Sequence, residues 1–245
     1  MTRGLLGAAA LLLAAAAGAP AQGPPAAEVS RFAPPADPGG PPPGWESLTF
    51  PKVARHTRYT VVPEGEGHVL KADSRAAASA LTRSLDLDPR VYQVVTWRWK
   101  VDNVVTTADA RTRAGDDYSA RVAVAFRYDP AGAPLWERVL YGAYRLVYGQ
   151  YPPRAVLNYV WDNRLPPGTV LDNAYSGRAK MIVVQSGPAL VGRWVSETRN
   201  VYEDYRRILG AEPPRIAGVA VMTDTDDTGE SAVAYYDAIT LRARD

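Results

Sequence analysis

From Trp45 onward the chain alternates between apolar and polar residues with a period of two, as half-buried extended segments do. Val91 to Val101 is the clearest run: Val95, Trp97, Trp99 and Val101 share one side, and Thr96, Arg98 and Lys100 the other. Arg121 to Tyr128 repeats it, with Val122, Val124, Phe126 and Tyr128 facing one way. Ala155 to Trp161, Met181 to Gln185, Trp194 to Val201, Ile216 to Thr223 and Val233 to Leu241 read as further strands. Ser47 to Phe50, Tyr59 to Val62, His68 to Ala72 and Ser79 to Leu87 carry the same pattern more weakly. Only Tyr202 to Leu209, closed by Gly210, and a piece around Leu135 to Tyr141 have helical spacing. Many short strands without long helices between them predict a mostly β fold. The expected form is an antiparallel β-sandwich of jelly-roll type with one or two short helices.

The N-terminal residues depart from this pattern. Arg3 precedes an apolar Leu and Ala run from Leu5 to Ala17, and Ala19-Pro20-Ala21 offers the small residues of a cleavage site. Residues 1–21 are therefore expected to be a signal peptide, which places the protein in the periplasm or outside the cell. The apolar run falls short of the roughly 20 residues needed to span a bilayer. Residues 22–44 form a Pro/Gly tract, expected to be an extended linker because it offers little to bury and few amide donors. Residues 45–245 are then a single β-sandwich domain.

Composition narrows the chemistry. The chain has no Cys, which removes disulfides, thiolate metal sites and a Cys nucleophile. A formal net charge of +2 without a Lys/Arg block gives no footing for nucleic acid. Neither H-E-x-x-H nor G-x-S-x-G occurs, nor does a phosphate-cradling Gly loop.

Three clusters remain as candidate chemistry. Asp224-Thr225-Asp226-Asp227-Thr228-Gly229 matches the first half of a calcium loop, with Asp224, Asp226 and Thr228 as oxygen ligands. The glutamate such a loop needs later is replaced by Tyr235, and a plain β-turn explains the same residues. Asp116-Asp117 precedes Arg121, a pairing that would close a loop. Arg121 stands on the polar parity of its strand beside Ala123 and Ala125, where small neighbours leave room for a ligand groove. Glu197 and Arg199 share one strand face, as a structural ion pair or as glycan-binding groups. Six Trp and fourteen Tyr add rings able to stack on sugars, with Tyr159, Trp161, Tyr175 and Trp194 as candidates for an exposed platform. The parity of Trp97 and Trp99 places those two in the core.

Five segments occur in a specific order: Trp97-Arg98-Trp99-Lys100, Gly115 to Arg121, Tyr159-Val160-Trp161, Glu197 to Tyr205 and Val221 to Gly229. Together they resemble the bacterial Domain of Unknown Function 3047 family over Trp45 to Leu241. That resemblance implies membership and no activity. The closing strand, Tyr235 to Leu241, is similar to the last strand of jelly-roll carbohydrate-binding modules. This analogy implies a structural ion held by Asp237 and Glu46. The combined expectation is a non-catalytic module binding a glycan or small polar ligand through Arg121, Asn158, Gln185, Glu197, Arg199 and Asp117, with Tyr159 and Trp161 as aromatic edges and Ca2+ as a candidate ion. The alternatives are a jelly-roll glycan hydrolase or lyase using Asp117, Glu197 or Asp226, and a structural or protein-interaction module of the envelope.

Overall fold

The structure, a computed structural model, describes residues 26–244 except 31, 38, 149 and 150. The signal peptide expected over residues 1–21 lies outside the described residues. The strands are β1 (Ala26–Glu28), β2 (Glu46–Leu48), β3 (Arg58–Glu64), β4 (Gly67–Arg75), β5 (Ala80–Leu87), β6 (Val94–Val101), β7 (Ala120–Phe126), β8 (Ala155–Asp162), β9 (Val170–Asn173), β10 (Ser176–Ser186), β11 (Val195–Asn200), β12 (Ile216–Met222) and β13 (Ser231–Arg242). Helix α1 (Leu135–Tyr148) separates β7 from β8, and α2 (Val201–Leu209) follows β11.

Two sheets form a sandwich, as the alternation requires. One runs β11-β6-β13-β4-β3, with β1 on β13 beyond the end of β4; the other runs β2-β5-β12-β7-β8-β10-β9. All pairings among the described residues are antiparallel except β8 with β10. β9 makes that exception, since it returns along the far edge of β10 and lets β10 run beside β8 in the same direction.

The core lies between the sheets. Trp97 and Trp99 of β6 meet edge to face at 5.4 Å, and they pack on Tyr159 and Trp161 of β8 at 5.3 and 5.9 Å. Val122, Val124 and Phe126 of β7 and Val219 and Val221 of β12 face them, all fully buried. Each such side chain contributes about 1.5–3 kcal/mol by leaving water. This packing corrects the expectation for Tyr159 and Trp161: both are core residues and neither edges a ligand site. Asn158 lies between Leu157 and Tyr159 on the opposite face of β8, because side chains alternate.

Bulges reverse the alternation in β10, β12 and β13. In β13 the register shifts between Asp237 and Thr240, with Ala238 at φ 52°. Ala234 and Tyr236 point into the core before it, Ile239 and Leu241 after it. The segment before Trp45 fills this bulge: Ile239 N donates to Ser30 Oγ at 2.6 Å, and Ile239 O accepts from Val29 N and Ser30 N. Val29 and Phe32 are buried in the same core, Phe32 against Trp45 at 5.5 Å. Residues 26–30 and 32 are thus part of the sandwich, unlike the free linker expected for 22–44. Among the prolines sit a few apolar side chains and unoccupied amides, and a bulge with unpaired backbone groups is where both are satisfied.

Asn200 caps α2 by accepting from Glu203 N at 2.9 Å, and Gly210 ends it in the left-handed region at φ 65°. Helix α1 is held by Glu137, buried and accepting from Arg154 Nη1 and Arg178 Nη2 at 3.1 Å each. Its outer face carries Leu135, Trp136, Val139 and Leu140, 58–73 % exposed. No helix among the described residues is long and apolar enough to cross a membrane.

Candidate functional site

In the middle of β7 and β12 the inward positions, Val122, Val124, Val219 and Val221, are bulky and the outward ones, Ala123, Ala125, Gly218 and Ala220, small, so a trough is left on the outer face of the seven-stranded sheet. Ala123 and Ala125 of β7, Gly218 and Ala220 of β12, Ala80 and Thr82 of β5, and Val156, Asn158 and Ala179 of β8 and β10 form its floor. The groove encloses about 600 Å³, within the range of small-ligand sites. Phe50, Tyr128 and Tyr151 line it with rings, and Arg121, Asn173, Glu46 and Arg83 with polar groups. Gly218 is obligatory there, because a Cβ would stand 2.7 Å from Arg83 O of the neighbouring strand. A second depression of about 580 Å³ continues from Arg127 and Tyr128 toward the Pro213-Pro214 loop. It lies over loops and helix ends, whereas the first lies on a rigid sheet.

The charges along the groove are largely matched. Arg127 pairs with Asp86 at 3.1 Å, Arg83 Nη1 donates to Val29 O at 2.7 Å, and Arg121 Nη2 donates to Asp224 Oδ2 at 2.7 Å. Arg121 is 8 % exposed, and its guanidinium also covers the Tyr118 ring at 4.8 Å. The partner of Arg121 is therefore Asp224, in place of the expected Asp116-Asp117.

The antiparallel register accounts for that pairing. Arg121 stands opposite Met222. Continuing the ladder past the strand ends brings residues 224 and 226 alongside 119 and 117. Asp117, Asp224 and Asp226 each offer a carboxylate oxygen, and all three lie within 4.8 Å of one another. Asp117 also ties the turn together, Oδ2 accepting from Thr228 N at 2.7 Å and Oδ1 from Asp227 N at 3.3 Å. Gly115 permits the loop that delivers Asp117, since a Cβ there would meet Asp109 N at 2.4 Å.

Crowding shows in the carboxyl groups. Burial raises Asp224 well above the usual carboxylate range, with Asp117, Asp116 and Asp226 adding to the rise and Arg121 opposing it. Partial desolvation among its neighbours also raises Asp226, which stays open to solvent on one side, helped by Asp117 and Asp227, and burial raises Asp116 against the pull of Arg121. Tyr175, exposed at the margin, has its hydroxyl 2.6 Å from Asp227 Oδ1.

The ligand residues expected from sequence fall into separate places. Arg121 and Asn158 share the groove, and Asp117 joins Asp224 and Asp226 beside its Arg121 end. Gln185, Glu197 and Arg199 lie elsewhere, at the inter-sheet margin by β11. Gln185 Nε2 donates to Glu197 Oε1 at 2.8 Å, and Arg199 makes a two-pronged pair with Asp204, which also accepts from Tyr159 Oη at 3.1 Å. The cause is a bulge in β10 between Val183 and Gln185, which turns Gln185 to the core side opposite Trp161. Thr228 sits in the same turn, its N donating to Asp117 Oδ2 and its Oγ1 accepting from Glu230 N at 3.3 Å.

Asp237 and Glu46 do not form an ion site either: Asp237 pairs with Arg98 at 2.6 Å on one sheet, and Glu46 rims the groove on the other. Trp194 lies on the outside of the six-stranded sheet under Arg98, its Nε1 donating to Glu64 at 2.7 Å. Of the carboxylates in the hydrolase or lyase alternative, Asp117 and Asp226 converge and Glu197 stays apart. Sequence reasoning missed Thr82, Asn173 and Tyr151. The small outward parity of β5 and β12 was a signal for the first; Asn173 at the end of β9 and Tyr151 in the loop before β8 offered none.

Glu197 yields a pH test. Burial raises its carboxyl above the ordinary value, while the hydrogen bond from Gln185 lowers it. The folded chain therefore keeps this proton to higher pH than the unfolded chain. Its stabilising effect is complete below the ordinary glutamate value and is lost as pH rises through the raised one. Glu197→Gln abolishes that dependence, so the Tm of the variant relative to the parent is expected to climb as pH rises above the ordinary glutamate value. A difference that stays flat as pH rises from below the ordinary glutamate value would contradict the assignment.

A family model described as a protein of unknown function (DUF3047) matches residues 43–240. No curated protein matches the sequence. Among solved structures, the chain is similar to the family 11 carbohydrate-binding module of the cellulosomal cellulase Lic26A-Cel5E of Clostridium thermocellum. The two share 11 % identity at a TM-score of 0.43, over 88 % of this chain and 97 % of that one. It is similar also to the family 30 carbohydrate-binding module of the cellulosomal cellulase Cel9D-Cel44B of Clostridium thermocellum, at 9 % identity and a TM-score of 0.42, over 90 % and 98 %. A third likeness is to the xyloglucanase domain of NopAA, a type three effector from Sinorhizobium fredii, in complex with cellobiose, at 8 % identity and a TM-score of 0.40, over 81 % and 92 %. These likenesses concern the fold alone.

Proposed function

The chain belongs to the DUF3047 family, and within it we propose an exported, non-catalytic module that binds a glycan in the groove of the seven-stranded sheet. The observation that carries this reading is the lining: a floor of small side chains, polar groups at Asn158, Thr82 and Asn173, and rings at Phe50 and Tyr151. A sugar has an apolar ring face and a rim of hydroxyls, and it needs both kinds of contact at once. A flat small-residue floor admits a ring broadside. Asn158 sits in mid-floor, its Nδ2 only weakly engaged by Lys180 O at 3.4 Å, so the amide is available to a hydroxyl. Export rests on the N-terminal leader pattern.

The test is calorimetric titration of neutral and uronic-acid-containing envelope oligosaccharides into the chain recovered from the periplasm, which should begin at Gln22. Asn158→Ala and Tyr151→Ala are each expected to weaken binding about 5- to 10-fold, from one lost hydrogen bond or one lost stacking face. Both substitutions remove side chains from the groove without cutting an ion pair. Absence of binding by the parent, or binding indifferent to both substitutions, would refute the reading.

A further inference from the structure

We infer that Asp117, Asp224 and Asp226 form a divalent-cation site selective for calcium, which clamps the loop before β7 to the turn after β12. Oxygens around one Ca2+ lie about 2.3–2.6 Å from it and so no more than about 5 Å from each other. The three carboxylate oxygens all lie within 4.8 Å of one another and so meet that limit. Mg2+ demands a near-ideal octahedron and keeps most of its waters, whereas Ca2+ accepts an irregular set of several carboxylates, which is the set present here.

The independent observation is Asp224. It is 3 % exposed, and its Oδ1 is buried without a hydrogen-bond partner although Oδ2 is held by Arg121. Buried carboxylate oxygens in folded proteins are almost always matched, so an unmatched one within a carboxylate cluster points to a missing positive partner. Among the described residues, Arg121 is the cation that acts on Asp224, Asp226 and Asp227, and Asp116 and Asp117 add their charges at the same place, which leaves an excess of negative charge there. The donors are all hard oxygens, with no His and no Cys, which is a donor set for calcium rather than zinc or copper. Asp226 is exposed and gives the ion its entry, while Asp117 and Asp224 are buried and supply rigid ligands. The half-match to a calcium loop in the sequence supplies Asp224 and Asp226; Asp117 comes from across the ladder in place of the later glutamate.

The site does not depend on the glycan reading. It can be tested on the whole chain after treatment with chelator, by titration with CaCl2 or MgCl2 and by thermal unfolding. Calcium at a hundredfold excess over its Kd is expected to raise Tm by about 5–10 °C, and magnesium by less than half as much. Asp226→Asn, at an exposed position where folding is preserved, is expected to weaken calcium binding at least about tenfold, and Asp237→Asn on the other sheet to leave it unchanged. Equal responses to the two ions, or an Asp226→Asn protein that binds calcium like the parent, would overturn the inference. So would the lack of any response in the parent.

Discussion

Trp99→Ala is expected to destabilise the domain by about 3–5 kcal/mol, the range for removing a buried large aromatic. Trp99 is fully buried and touches Trp97 at 5.4 Å and Trp161 at 5.9 Å, so it bridges neighbours in its own sheet to the opposite one. Truncation removes the contacts of the indole and leaves a void that the surrounding rings cannot fill without leaving their rotamers. For a domain of this size the loss corresponds to a fall in Tm of about 10–15 °C. Urea denaturation is the measurement, with the slope unchanged and the midpoint reduced. A loss below about 1.5 kcal/mol would mean that the two sheets are not locked through this cluster.

Arg121→Ala is expected to cost a similar amount, about 3–5 kcal/mol, for a different reason. The Arg121 and Asp224 side chains are 10 % and 4 % exposed, so solvent screens their pairing little. Removing the guanidinium leaves a carboxylate that water cannot reach. A buried pair is nevertheless a weak stabiliser compared with two apolar groups of the same shape. Arg121→Met combined with Asp224→Leu is therefore expected to recover most of the loss. Measured in chelator, a double-mutant cycle should give a coupling above about 1 kcal/mol. Additive effects would contradict the pairing. The size of this effect is also why Asn158 and Tyr151, and not Arg121, are the probes for ligand binding.

Much of this protein was legible before any coordinates. Alternation through Val95, Trp97 and Trp99, and again through Val122, Val124 and Phe126, marks strands and their buried sides, because side-chain direction in extended chain depends only on position along it. Gly210 after Leu209 ends α2 for an equally local reason. The small outward residues of β7 already implied space above Ala123 and Ala125.

The tertiary structure decided where those faces meet. Register across β7 and β12 set Asp224 against Arg121 and brought Asp117 to Asp226, though more than a hundred residues separate each pair in the chain. The bulges at Val183–Gln185 and Asp237–Thr240 turned Gln185, Ile239 and Leu241 to sides that strict alternation denies them, and the second drew in Val29 and Ser30. Local preference specifies which side chains share a strand face. Pairing partners and inserted residues follow from how distant segments compete for the same backbone groups and the same core, and that competition is settled only once the whole chain is folded.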